Sequence, residues 1–309
     1  MMKQIFFYAI AAFFLAFSCK QKNAPEAHEK TAPKQVVARE AVTENTLLKE
    51  YRQFLAQLDS GKVENMSAAA EKYKTLFKGQ SNSLADSGYV LFEKFYLRTS
   101  NTINDVHYKD TTDYTPLVVL PYAGAPPVKL SKKLNTYRQA MEANGFQVAM
   151  TEGFTYLLQE RDFIAKHFYP FVSPTLKQFL VQLNKENKEG FQEDAGLTIG
   201  PTQLVDRVIW WENFVQKHPD FILLKHAEAE RKAYLSTLLT GMDNSPILSF
   251  DDNKLDPYYA EAYQYLNKKA PTSKTNEVLK PYYEALQKGD TAKAYTLLTR
   301  YKLDKVIGY

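Results

Sequence analysis

The stretch TLLKEYRQFLAQLDSG, residues 46–61, decides the fold class. Leu47, Leu48, Tyr51, Phe54, Leu55 and Leu58 recur at steps of three and four, the period of one helical face, and Gly61 ends the run. The same pattern returns along the chain. It predicts helices over residues 63–78, closed by Gly79, and over 89–103, with Phe92, Phe95 and Tyr96 on one side. Ser131 reads as the cap of a helix ended by Gly145, and Thr151 as the cap of another running to Tyr169 before Pro170. Ser173-Pro174 is a start signal, because Ser caps a helix and Pro suits its first position. Pro201 and Pro219 bracket the helix that carries Trp210 and Trp211, and Pro219 reads as opening a helix closed by Gly241. Asp256-Pro257 opens another, and Asp290 opens the last after Gly289.

Strand signals are sparse. The best is Thr115–Tyr122, but prolines at both ends favour a packed irregular segment inside a long loop, residues 104–130. The expectation is an all-α, mostly antiparallel multi-helix domain with helical hairpins over residues 44–309, with a possible division into two sub-bundles near 104–150. The run NEVLKPYYEALQKGDTAKAYTLLTRY, residues 276–301, resembles a single tetratricopeptide hairpin. No second copy follows at a fixed period, and Pro281 should kink its first helix or reset the start. The likeness is that of any helical hairpin, and the body of the chain resembles no family.

Composition supports a folded chain: 309 residues, 45% hydrophobic and 24% charged. A net charge of +4 is too mild to point to nucleic acid. The single cysteine excludes an intrachain disulfide framework and any zinc site needing two thiolates. That cysteine is placed informatively. Lys3 precedes an uncharged apolar run from Ile5 to Phe17, too short to span a bilayer, and Ala16 and Ser18 stand before Cys19. This segment resembles a bacterial lipoprotein signal, although Leu15 lies four residues before the cysteine where the usual motif has Leu three before. The resemblance implies removal of residues 1–18, lipid attachment at Cys19 with diacylglyceryl and acyl chains such as palmitate, and membrane anchoring. Lys20 stands where the inner-membrane retention signal has Asp, so the resemblance implies the outer membrane. Ala16-Phe17-Ser18 also fits general signal peptidase, which would leave a secreted protein. Residues 19–43 hold two prolines, no aromatics and mixed charge, including His28, and read as a flexible tether reaching roughly 25–30 Å.

Catalytic motifs are not found: no Walker loop, no GxGxxG after a strand, no GxSxG, no HExxH. His107, His167, His218 and His226 do not form a metal-ligand spacing. Asp251, Asp252, Asn253 and Asp256 lack the Gly and Glu of a calcium loop and fit a helix cap better. No metal or cofactor is therefore expected. Three residues stand out. Trp210 lies outside the arc formed by Leu204, Val205, Val208, Ile209, Trp211 and Val215, so it either contacts another helix of the same chain or is an exposed candidate partner or sugar surface. Arg161 and Glu212 each fall within an apolar stripe; a lone buried charge is costly, so each is expected to find a partner or reach water: the two pair with each other or share a ligand site, or each is met within its own helix or by backbone groups elsewhere. The functional expectation is an envelope protein, lipid-anchored and facing the periplasm, whose helical domain binds or scaffolds an envelope protein or glycan. The alternative is a periplasmic hydrolase or lyase working on envelope polymers through carboxylates.

Overall fold

Helix boundaries in the computed structural model, which describes residues 45–118 and 129–307, follow side-chain punctuation. The helices α1 (Thr46–Gln57), α2 (Asn65–Phe77) and α3 (Asn82–Lys109) come first. Asn45 and Ser81 cap α1 and α3 by accepting from Leu47 N and Leu84 N. A 3-10 turn (Thr115–Leu117) leads toward α4 (Lys132–Ala143), and then β1 (Phe146–Thr151) and β2 (Phe154–Gln159) pair before α5 (Asp162–Phe168). The order continues α6 (Pro174–Glu189), β3 (Gln192–Glu193), β4 (Gly196–Leu197), α7 (Pro201–Lys217) and α8 (Leu224–Thr240). It ends β5 (Gly241–Met242), β6 (Ser245–Pro246), α9 (Pro257–Lys269), α10 (Lys274–Gln287) and α11 (Thr291–Leu303). The domain is mostly helical, and the strands form three separate two-stranded antiparallel sheets. No described helix is long and apolar enough to cross a membrane.

Four sequence expectations are corrected. The helix expected from Thr151 to Tyr169 is instead an antiparallel hairpin followed by short α5, with Thr151 opposite Phe154. Its turn residues Glu152 and Gly153 both have positive φ, 48° and 81°, the conformation that matches a two-residue turn to strand twist. Phe154, Leu157 and Leu158 fit helical spacing by coincidence, whereas Phe146-Gln-Val-Ala-Met-Thr151 carries the alternation of a strand. The long loop expected from residue 104 begins later, since α3 continues to Lys109; Val119–Val128 lies outside the described residues. Pro219 does not open α8, which starts at Leu224, and Pro281 sits inside α10 without resetting its start.

Aromatic side chains form the core. Phe168 packs on Tyr73 at 4.6 Å and on Phe92 at 4.3 Å between ring centroids, joining α5 to α2 and α3. Two of the buried tyrosines satisfy their hydroxyls on backbone oxygens: Tyr51 donates to Ala69 O at 3.0 Å and Tyr73 to Ala85 O at 3.1 Å. Each such ring contributes its buried area without leaving an unmade hydrogen bond. The buried side chains run as one contiguous cluster from Tyr51 to Ile307.

The α2–α3 contact depends on Gly88. A Cβ there would lie 2.6–2.8 Å from the Phe77 ring, which is buried. Gly88→Ala is therefore expected to destabilise by about 1–3 kcal/mol through overpacking, read by urea denaturation. An unchanged midpoint would show that the ring yields freely.

Candidate functional site

Arg161 and Glu212 are both buried, as their apolar neighbours in sequence imply, but they do not meet. Arg161 caps α5 rather than sitting inside a helix, and its Nη1 and Nη2 lie 3.4 Å from Glu93 Oε1 on α3. Tyr89 donates to the other oxygen of Glu93 at 2.5 Å. Glu212, on α7, serves a different purpose. Its carboxylate accepts from Lys274 N at 2.9 Å, Thr275 N at 2.8 Å and Thr275 Oγ1 at 2.6 Å, at the start of α10. Two amides that a helix start leaves without internal partners thus receive a full negative charge where the dipole favours one. The expected Arg161–Glu212 pair is replaced by two unrelated contacts, because a buried carboxylate is satisfied equally well by backbone N–H groups.

A second buried polar group joins α6, α7 and α8. Glu186 accepts from Trp211 Nε1 at 3.0 Å, Gln182 Nε2 at 2.6 Å and Tyr234 OH at 3.0 Å. Burial pushes its carboxyl up to about 7 despite these donors. Arg207, 3% exposed, donates to Glu189 at 3.0 Å and to Gly190 O at 2.8 Å, and reaches Tyr234 OH at 3.3 Å. These residues carried a signal in the sequence: Glu186 follows Phe179 and Leu183 at helical steps, and Arg207 lies between Leu204 and Trp211. Trp210 is half-buried, its ring stacked on Phe214 at 5.2 Å and set edge-on to Trp211.

Two concave sites differ in what their polar atoms are free to do. The first, about 220 Å³, lies at the C-terminal end of α3 and is lined by Val63, His107, Asp110, Tyr114, Tyr137 and Leu157, among others. Here the groups satisfy one another. His107 contacts Tyr137 OH at 2.7 Å through Nδ1 and Thr155 Oγ1 at 3.0 Å through Nε2. Both neighbours are hydroxyls, so each can give or take the proton and neither tautomer is fixed. Tyr114 donates to Asp110 Oδ2 at 2.7 Å, and Thr112 N and Oγ1 bond Oδ1. These bonds hold the Asp110 carboxyl down at about 2. With both ring nitrogens engaged, His107 braces the hairpin against α3 and is not poised as a base.

Burial lowers the affinity of His107 for a proton below that of an exposed histidine. Its contribution to stability is therefore complete above the unfolded value, about 6.5, and is lost as pH falls through and below it. The stability gap between wild type and His107→Gln should narrow as pH drops from about 7.5 to about 5.5. Comparing the two proteins at each pH cancels His167, which is shifted the same way, and Glu186, which is shifted oppositely. A constant gap would remove this account of His107.

The second site, about 170 Å³, lies between α9 and α10 and is lined by Tyr263, Asn267, Asn276, Leu279, Lys280, Tyr283, Glu284 and Gln287. Tyr263 is buried and donates to Leu238 O, and Tyr283 meets its ring edge-on at 5.1 Å between centroids. Asn276 is 4% exposed, and its Nδ2 donates to Pro271 O at 2.9 Å and Asn267 Oδ1 at 3.2 Å.

Cys19 and the tether lie outside the described residues. Asp256 caps α9 through Tyr258 N at 2.8 Å, as expected, and His226 contacts Glu230 at 3.2 Å. Among the described residues no group of His, Cys, Asp and Glu side chains is arranged to hold a metal ion. No protein-family model, curated protein or solved structure matches the chain.

Proposed function

We propose that this is a lipid-anchored protein of the cell envelope whose helical body binds an envelope partner, the anchor being Cys19 and the spacer residues 19–43. The observation that carries binding over polymer hydrolysis is the use made of the buried carboxylates. Asp86 accepts from Ser173 N at 2.7 Å, Glu93 holds Arg161 and Tyr89, Glu186 holds Trp211 and Tyr234, and Glu212 starts α10. Each joins secondary-structure elements from inside the core, and no two of them flank a common cleft in the manner of paired acid and base carboxylates. The resemblance of residues 1–19 to a lipoprotein signal supports the location.

Crosslinking in intact cells tests this reading. The expected result is capture of a defined envelope component by the wild type, reduced when Cys19→Ala removes the anchor. Release of soluble fragments from isolated envelope polymer by the purified full-length protein would contradict it in favour of a hydrolase or lyase. For the anchor itself, the wild type is expected to partition into the detergent phase and Cys19→Ala into the aqueous phase or to accumulate unprocessed; equal partitioning would exclude lipidation.

A further inference from the structure

We infer that the groove between α9 and α10 is a binding site for a single neutral sugar ring of an envelope glycan. The inference rests on the binding reading above and assigns it a place and a ligand class. Its core is the orientation of Asn276. One neighbour of its amide nitrogen is the backbone oxygen of Pro271, which can only accept, so nitrogen must face it at 2.9 Å. The amide carbonyl Oδ1 is then the remaining acceptor, open to solvent and bonded by no donor among the described residues. Asn276, 4% exposed as a residue, lines the groove and so brings this acceptor to its wall. The first turn of α10 keeps it there, since Ser273 Oγ accepts from Asn276 N at 3.0 Å and Glu212 fixes the two residues between.

The rest of the lining supplies complementary groups. Tyr283 OH accepts from Gln287 Nε2 at 2.6 Å and from Gln264 Nε2 at 3.5 Å, which leaves its own hydrogen to donate. Asn267 Oδ1 is occupied by Asn276, so its amide hydrogens remain available. The ring of Tyr283, half-exposed and set against Tyr263, offers an apolar face beside these polar atoms. Lys280 and Glu284 bring one charge of each sign to the rim, so the lining has no net charge to select an anion or an amine. Neutral donors and acceptors beside an aromatic ring match the alternating hydroxyls and C–H face of a pyranose. At about 170 Å³ the groove is smaller than the pockets of about 300–1,000 Å³ that enclose drug-sized ligands, so it takes one ring of a longer chain at its surface.

Saturation-transfer NMR on the full-length protein in detergent, with triacetylchitotriose and maltotriose as separate probes, tests the site. The expected result is transfer from protein to the ring protons of at least one probe, with millimolar affinity. A signal from the first alone identifies an acetamido sugar; a signal from both identifies recognition through hydroxyls. Tyr283→Ala should abolish the transfer, while Tyr295→Ala, which removes a tyrosine 73% exposed on α11, should leave it unchanged. If Tyr283→Ala does not fold, Asn267→Ala with Gln287→Ala, both at exposed positions, should weaken binding about tenfold or more. No transfer with either probe, or transfer insensitive to these substitutions, overturns the proposal. Capture of an envelope protein by crosslinking, without sugar binding, would overturn this site and leave the binding reading standing.

Discussion

Arg161→Ala is expected to lower folding stability by about 3–5 kcal/mol, the largest effect of any single truncation in this protein. The argument rests on what remains. Glu93 is 8% exposed, and without the guanidinium its carboxylate keeps only the hydroxyl of Tyr89. An uncompensated charge would then sit in the core beside Tyr89 and Tyr96. The pair itself is not especially strong. Its contacts are 3.4 Å, and Arg161 Nε has no hydrogen-bond partner among the described residues. Replacing both members by apolar residues of similar volume, Arg161→Met with Glu93→Leu, should therefore cost much less than either single change. Urea denaturation of the two single variants and the double variant measures the difference. Additive losses, with no coupling, would show that the two side chains contribute independently.

Glu212→Ala is expected to cost about 3 kcal/mol, from loss of charge-assisted bonds to two amides and a hydroxyl. Thr275 is 1% exposed, so its N–H and hydroxyl cannot turn to water instead. Because α10 packs on α9 and α11, the loss should be felt locally as well as globally. Hydrogen exchange of the α10 and α11 amides should accelerate more than exchange in α2 and α3. Glu212→Gln, which retains one acceptor oxygen and no charge, should give an intermediate loss. Uniform acceleration across the chain would mean that Glu212 supports the whole body and not the start of α10.

These two residues also show how far the sequence could be read. Helical periodicity placed Glu212 among apolar positions of α7; it marked Arg161 through a helix from Thr151 that does not form, although both residues are buried. It could not name their partners, because Glu93 lies 68 residues from Arg161 and two of the donors to Glu212, Lys274 N and Thr275 N, are backbone amides, identical in every sequence. Helix starts were legible at Ser131, Ser173, Asp256 and Asp290, whose side chains cap, but not at Ser81 or Ser273, which cap α3 and α10. The start of α8 was not, since Leu223 offers no capping side chain. The hairpin was hidden by Phe154, Leu157 and Leu158, whose spacing suits a helix. The groove at Asn276 was invisible in sequence: its meaning lies in which way one amide faces, and Pro271 decides that only after α10 has formed.

The central claim, a binding body held at the membrane by its N-terminus, is tested most directly by the intact mass of the protein purified from the membrane fraction. The account predicts a chain beginning at Cys19 and carrying the added mass of a diacylglyceryl group and acyl chains. A chain beginning at Cys19, or at any other residue, with no lipid mass would contradict it.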